Sequence, residues 1–250
     1  MNIHRTLVKA FILLATCAGV FAPAEAGLWD DPKNLKVLPE DISPAELRNT
    51  MRGFAINTGS RCFTCHVGED ENDLSTYDFS LDDKEKKIKA RAMLRMVQNI
   101  RSYLSEELDK SPEDLVRVDC ATCHRGQNKP EMLQDVLARA YRENGMENAI
   151  AEYRTLREHN YGGYSFDFSE GALNMMAERM AQEDELDAAL GFLDLNLEFY
   201  PQSVRTLVLQ GQVLAAKGDK PAARESYVKA LALEPDNMWT KRLLDKLDAG

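Results

Sequence analysis

The chain is poor in cysteine and poorer still in spare histidine. It has five cysteines and four histidines in 250 residues. Cys17 lies in an apolar N-terminal stretch, and Cys62, Cys65, Cys120 and Cys123 fall into two pairs. No thiol is left over for a structural bridge or a lone catalytic nucleophile. His159 is the one histidine outside both the N-terminal stretch and the pairs. A basic excess is lacking too: 31 Lys and Arg face 41 Asp and Glu, a formal net charge of −10. That balance excludes binding to nucleic acid or an anionic membrane surface through the net field. Beyond the first 26 residues no apolar run is long enough to span a bilayer, so no membrane span is expected there.

What is present begins with an export signal. "MNIHRTLVKAFILLATCAGVFAPAEAG" carries basic Arg5 and Lys9, an apolar run from Ala10 to Val20, and Ala24-Glu25-Ala26 before a small-residue cut. The run is too short for a permanent span. Residues 1–26 are therefore predicted to be a cleaved secretory signal, and the mature protein is expected to be periplasmic. Leu14-Ala15-Thr16-Cys17 offers a lesser reading, a lipid anchor on Cys17, which Thr16 fits poorly. Losing residues 1–26 removes two basic residues and one acidic one, taking the charge from −10 to −11.

Each cysteine pair belongs to a Cys-x-x-Cys-His motif. The first is Cys62, Cys65 and His66 in "SRCFTCHVG", and the second is Cys120, Cys123 and His124 in "RVDCATCHRG". This is the attachment pattern of c-type haem. Two thiols two residues apart reach the two vinyl groups of one porphyrin, and the next histidine falls under the iron as proximal ligand. A zinc module would place its pairs about 15–20 residues apart, far closer than Cys65 and Cys120. A thioredoxin-like pair needs no following histidine, and strand–helix alternation is missing here. Thiols exported to an oxidising compartment are normally consumed. Two motifs predict two covalently attached haems, each with an iron.

The second axial ligand separates electron transfer from substrate binding, and a Met/His pair suits transfer. In "DISPAELRNTMRGFAINTGSRC", Ser43-Pro44-Ala45-Glu46 reads as a helix cap with a capping-box glutamate. Leu47, Met51 and Phe54/Ala55 share a face, and Gly59 can end the helix. Such a helix returns Met51 towards the distal side of the first haem. Before the second motif, "DDKEKKIKARAMLRMVQNIRSYLSEEL" predicts a long helix with Asp82 and Asp83 at its positive end. Its stripe of Met93, Met96, Val97, Ile100 and Leu104 offers two candidate ligands, Met93 and Met96, and periodicity does not choose between them. Core packing is the commoner role for a methionine at helical spacing. Met132 is a weaker candidate, and His159 is expected at a surface or helix end, which disfavours bis-histidine ligation of both haems.

"MRGFAINTGSRCFTCHVGE" and "ARAMLRMVQNIRSYL…VDCATCHRGQNKP" resemble the haem-binding segments of the cytochrome c subunit of photosynthetic reaction centres. The resemblance covers roughly residues 35–130 and includes the helix before each motif. It implies a helix bearing the distal methionine, a turn, and a second helix starting at Cys-x-x-Cys-His. It places Met51 opposite His66 and favours Met93 over Met96 opposite His124. The family's subunit carries four haems, whereas this chain has two motifs.

After "RGQNKP" the composition turns to helix-forming Ala, Leu, Glu and Arg. Pro201 and Pro235 stand 34 residues apart, the period of a tetratricopeptide repeat. Units of about 170–203 and 204–237 follow, the later with Gly211, Ala223, Tyr227, Ala230 and Pro235 in the repeat's positions. The earlier keeps Ala177, Ala189 and Pro201 but has Leu193 for an aromatic and Asn196 for alanine. A weaker unit, about 130–163, keeps Ala149 and Tyr153; "YSFDFS" reads as an insertion and "MWTKRLLDKLDAG" as a cap. Residues 131–250 hold 13 basic and 21 acidic residues against 16 and 19 in 27–130, so the repeats are the more acidic half.

The expected architecture is all-α: a dihaem helix-turn-helix domain over 27–130 and a helical-hairpin, tetratricopeptide-like solenoid over 131–250. The expected role is electron transfer between periplasmic or membrane redox proteins, with no catalytic residue. The repeats would dock a protein segment in their groove, and a redox partner with a basic docking surface suits their charge. Arg125, directly after the second motif, is a candidate to pair with a haem propionate, and an exposed arginine without that contact is the equal alternative. A peroxidase-like enzyme with one open iron, and a haem-bearing sensor or scaffold, are the alternatives.

Overall fold

The computed structural model describes residues 27–249. The expected signal segment, with Cys17, lies outside them. Among the described residues the chain is all-α, with ten α-helices, two single-turn 3-10 helices and one two-residue hairpin.

The first half is built from two long helices and two very short ones. Helix α1 (Pro44–Thr58) starts at Ser43, whose hydroxyl accepts from the Glu46 N–H at 3.3 Å while the Glu46 carboxylate accepts from the Ser43 N–H at 3.2 Å. This capping box satisfies two of the amides that every helix start leaves free. The helix stops at Gly59, whose φ of +62° closes the last turn. Helix α2 (Cys62–Cys65) is one turn of the first motif, and β1 (Val67–Gly68) follows, paired antiparallel with β2 (Tyr77–Asp78). Helix α3 (Glu85–Leu108) runs from "KEKKIK" to "SEEL", and α4 (Cys120–His124) holds the second motif. Lys84 is the residue that caps α3; Asp82 and Asp83 stop short of its first turn. Asp82 is drawn instead into ion pairs with Lys36 (2.6 Å), Arg91 (2.7 Å) and Lys87 (3.2 Å). These fasten the segment before α1 to the side of α3.

The packing is crossed. Helix α4 lies against α1, and α2 lies against α3, while neither α1 and α2 nor α3 and α4 make more than marginal contact. The crossing point is a backbone approach between Gly59 and Gly126, where a Cβ on Gly59 would sit 2.2 Å from the Gly126 carbonyl oxygen. There the Gly126 N–H donates to the Asn57 carbonyl at 2.9 Å. Asn128 adds a 2.7 Å bond to the Ser60 hydroxyl.

The second half is a stack of helix pairs. Helix α5 (Leu133–Asn160) breaks at Asn144 and Gly145 and so forms the first pair by itself. Helices α6 (Glu170–Gln182) and α7 (Leu186–Phe199) form the next, then α8 (Val204–Ala216) and α9 (Lys220–Leu233), with α10 (Met238–Ala249) closing the end. The small and aromatic positions read from the 34-residue period are all buried, including Ala149, Tyr153, Ala177, Ala189, Leu193, Ala223, Tyr227 and Ala230. Gly211 fits flat against Tyr227, where a Cβ would stand 2.4 Å from the ring. Asn196, where the repeat has alanine, belongs to a buried polar knot. Its amide donates to the Glu170 carbonyl (2.9 Å) and to Asn174 Oδ1 (3.0 Å), and Thr206 Oγ1 donates to the same Asn174 oxygen (2.9 Å). The knot joins α6, α7 and α8, though it leaves Asn196 Oδ1 and Asn174 Nδ2 buried without a partner.

Candidate haem sites

The first motif presents its thiols on one turn. Cys62 is exposed and Cys65 half-buried, and neither is in a disulfide. His66 follows in extended conformation, with its N–H on the Cys62 carbonyl at 2.9 Å. Its ring stands against the edge of Phe79, centroids 4.9 Å apart, and Phe79 stacks on Tyr77 at 5.6 Å. Tyr77 in turn covers Gly68 across the hairpin, where a Cβ would meet the ring at 2.5 Å. Lys87, only 8% exposed, threads behind this stack and donates to the Phe79 carbonyl at 2.8 Å and to the Leu81 carbonyl. Lys84 bonds the Phe63 carbonyl. Burial pushes the His66 imidazole down to about 4, and the charges of Lys87, Arg91 and Lys84 add to the effect. The ring is therefore neutral, the form that ligates a metal.

The second motif forms α4. Asp119 caps it through the Thr122 N–H at 3.3 Å. Cys120 is half-buried, Cys123 exposed, and both thiols are free. Burial raises the Cys65 and Cys120 thiols above their ordinary value. His124 Nδ1 lies 2.8 Å from the Gln127 carbonyl oxygen. A carbonyl only accepts, so Nδ1 carries the proton and the Nε2 lone pair is left for a metal. Arg125 follows with φ +49°, exposed, its carbonyl accepting from the Ser165 hydroxyl at 2.8 Å.

Met51 lies half-buried on α1. Met93 and Met96 are each 43% exposed on α3, so burial does not separate them. A groove of about 570 Å³ along α3 is lined by Met96, Ile100, Tyr103 and Leu104 among others, with Met93 outside it. Met132, just before α5, and His159, in the last turn of α5, are both exposed.

The residues present fit a covalently attached haem. Between residues 27 and 130 the only buried apolar side chains are Leu47 and Tyr77, so this half has almost no interior of its own. Ile56, Met93, Met96, Tyr103 and Val116 stand exposed around the motifs. The helix before each motif makes no more than marginal contact with that motif's own short helix. Among the described residues no three His, Cys, Asp or Glu side chains converge.

A family model of the photosynthetic reaction centre cytochrome C subunit matches residues 30–185. The chain belongs to this family. It is thus a c-type cytochrome of electron transfer, with covalently bound c-type haem. The match extends past both motifs through α5 and α6. No curated protein gives a significant match. Among the described residues no helix is long and apolar enough to cross a membrane.

Several residues that shape the sites are silent in the sequence. Phe79 reaches His66 because the β1–β2 hairpin folds back, and Lys87 of α3 fastens the Phe79 carbonyl beside it. Ser165 reaches the second motif across 40 residues, from the loop between α5 and α6. Gln127 meets His124 through its backbone carbonyl, three residues on, so its side chain gave no signal either.

Proposed function

We propose that this cytochrome is an exported, periplasmic dihaem electron carrier, with a haem-binding domain over residues 27–130 and a tetratricopeptide-like domain over 131–250. Cys62 and Cys65 tether one haem and Cys120 and Cys123 the other. His66 and His124 are the proximal ligands. Met51 would be the second ligand with His66 and Met93 with His124, with Met96 the alternative to Met93. Bound there, each haem would supply an iron able to alternate between ferric and ferrous. The protein's own task is to keep that change cheap. Each imidazole is presented on a motif fixed at both ends, so little rearranges when the charge changes. The crossed packing of α1 on α4 and α2 on α3 holds both motifs in one body.

The observation that carries this reading is the pairing of two complete Cys-x-x-Cys-His motifs with a half-molecule lacking a core. The helix pairs of the second half supply a docking surface for a redox protein. Their acidic excess suits a partner with a basic face, and such docking weakens as salt screens it. The test is the visible spectrum of the exported protein, oxidised and reduced, with and without carbon monoxide, beside a haem count. Two haems per chain, a far-red methionine–iron band and indifference to carbon monoxide are expected. Carbon monoxide binding at either iron would turn the reading towards a peroxidase-like enzyme or a gas sensor. Met93→Ala opening an iron while Met96→Ala does not would fix the second distal ligand, and the reverse would reassign it.

A further inference from the structure

The two proximal histidines are held differently. His124 Nδ1 donates to the Gln127 carbonyl at 2.8 Å. That carbonyl is fixed in place from three directions. The Gln127 N–H donates back to the His124 carbonyl (2.8 Å), the Gln127 amide donates to the Ser165 carbonyl (2.6 Å), and the Ser165 hydroxyl donates to the Arg125 carbonyl (2.8 Å). Between them Gly126 is locked onto Asn57 at 2.9 Å. His66 has none of this. Its Nδ1 is buried without a hydrogen-bond partner, and its ring packs at 65° to that of Phe79 with centroids 4.9 Å apart.

A hydrogen bond from Nδ1–H pushes electron density onto the opposite nitrogen and makes the imidazole a better donor. A better donor stabilises ferric iron and lowers its reduction potential; an imidazole without that bond does so less. The surrounding charges are mixed at both sites, so the hydrogen bond to Nδ1 is the difference that separates them. The first motif is flanked by Lys84, Lys87, Arg91 and Lys36, with Asp82 the carboxylate among them. Glu69, Asp70 and Glu71, three to five residues beyond His66, oppose those cations. The second motif has Asp119 at the start of its helix, paired with Arg117 at 3.3 Å, with Arg101 on the Val118 carbonyl at 2.8 Å and Arg125 directly after His124.

Resting on the dihaem reading above, we propose that Gln127 and Ser165 are positioning residues for His124 and set the second site at the lower reduction potential, so that a single electron on the chain resides at the first site. The same contacts tie His124 to the α5–α6 loop, whose Phe166 and Phe168 join the aromatic packing of the second half. The donor strength of His124 therefore depends on a segment of the helical stack, and His66 is independent of it.

The experiment is a potentiometric titration of the haem-loaded full-length protein, followed by visible and paramagnetic resonance spectra. A haem count by intact mass comes first, because fewer than two haems would refute the dihaem reading rather than this inference. With two haems, the wild type gives two steps separated by at least about tenfold in the reduction equilibrium, about 59 mV for one electron. Gln127→Leu and Ser165→Ala each raise the lower step by roughly three- to tenfold in that equilibrium, leave the upper step unmoved and keep the methionine–iron band. Ser165→Thr, which keeps the hydroxyl, leaves both steps in place. Coincident steps in the wild type, movement of the upper step, or no movement in either variant would overturn the proposal. Should Gln127→Leu fail to fold, Ser165→Ala carries the test.

Discussion

Residues 27–130 and 131–249 are similar in length and both helical, yet only the second has an interior made of its own side chains. In the second half, Leu137, Tyr153, Leu173, Met176, Phe192 and Leu193 are among the fully buried residues of one continuous cluster, and Tyr227 and Ala230 centre another. In the first half, Leu47 and Tyr77 are alone. What holds the first half in place instead is polar and local: a capping box, a cluster of cations around Asp82, and a glycine crossing. Local contacts of that kind contribute little each, and a chain of this length ordinarily needs a buried apolar core. The difference teaches that a covalently attached group can stand in for sequence-encoded core, and that its attachment points then act as folding residues.

The largest effect expected from one substitution lies in the second half. Phe192→Ala should cost about 3–5 kcal/mol, because Phe192 is fully buried where α5, α6 and α7 meet. Urea unfolding followed by far-ultraviolet circular dichroism reads the loss, while the haem absorbance of the first half should hold its midpoint. A matched loss of haem absorbance would break the comparison by showing one cooperative unit.

Gly59→Ala is the corresponding blow to the first half. Its positive φ alone costs about 1–2 kcal/mol for an L side chain, and the added methyl would strike the Gly126 carbonyl at 2.2 Å. The crossing of α1 and α4 should loosen, with faster amide exchange at Gly126, whose N–H bonds Asn57. The helix pairs of the second half should be untouched.

Acid should separate the halves as well. The hydrogen bond from Lys36, with those from Asn34, Arg91 and Lys87, holds the Asp82 carboxyl well below the usual carboxylate range. A depressed carboxylate stabilises the fold above its unfolded pKa of about 3.9 and stops doing so as pH falls through its folded value. Limited proteolysis of residues 27–42 should therefore accelerate below about pH 4. Asp82→Asn should make that segment labile at neutral pH and flatten the acid dependence. Acid lability that persists in the variant would place its cause elsewhere.

Much of this was legible in the sequence because it is local or periodic. Ser43 and Glu46 announce a capping box within four residues, and Gly59 ends the helix they start. The 34-residue spacing of Pro201 and Pro235 places Ala177, Ala223 and Tyr227 at positions that prove buried. The attachment motifs name their own chemistry. What stayed hidden depends on contacts between distant segments. Asp82 reads as a helix-start charge because its neighbours are acidic and a helix follows, but Lys36, 46 residues away, draws it into another role. The same holds for Ser165 at Arg125 and for Phe79 at His66, and nothing in their own surroundings marks them. Met93 and Met96 sit one turn apart with equal exposure, so neither periodicity nor burial ranks them.

Hydrogen exchange of the chain with and without haem tests the central claim most directly. The haem-free form is made by Cys-to-Ser substitution at Cys62, Cys65, Cys120 and Cys123. Protection along α1 and α3 should collapse towards the unfolded rate while α6 to α9 keep theirs. Retained protection in α1 and α3 of the haem-free chain would contradict the account, because the first half would then fold on its own residues.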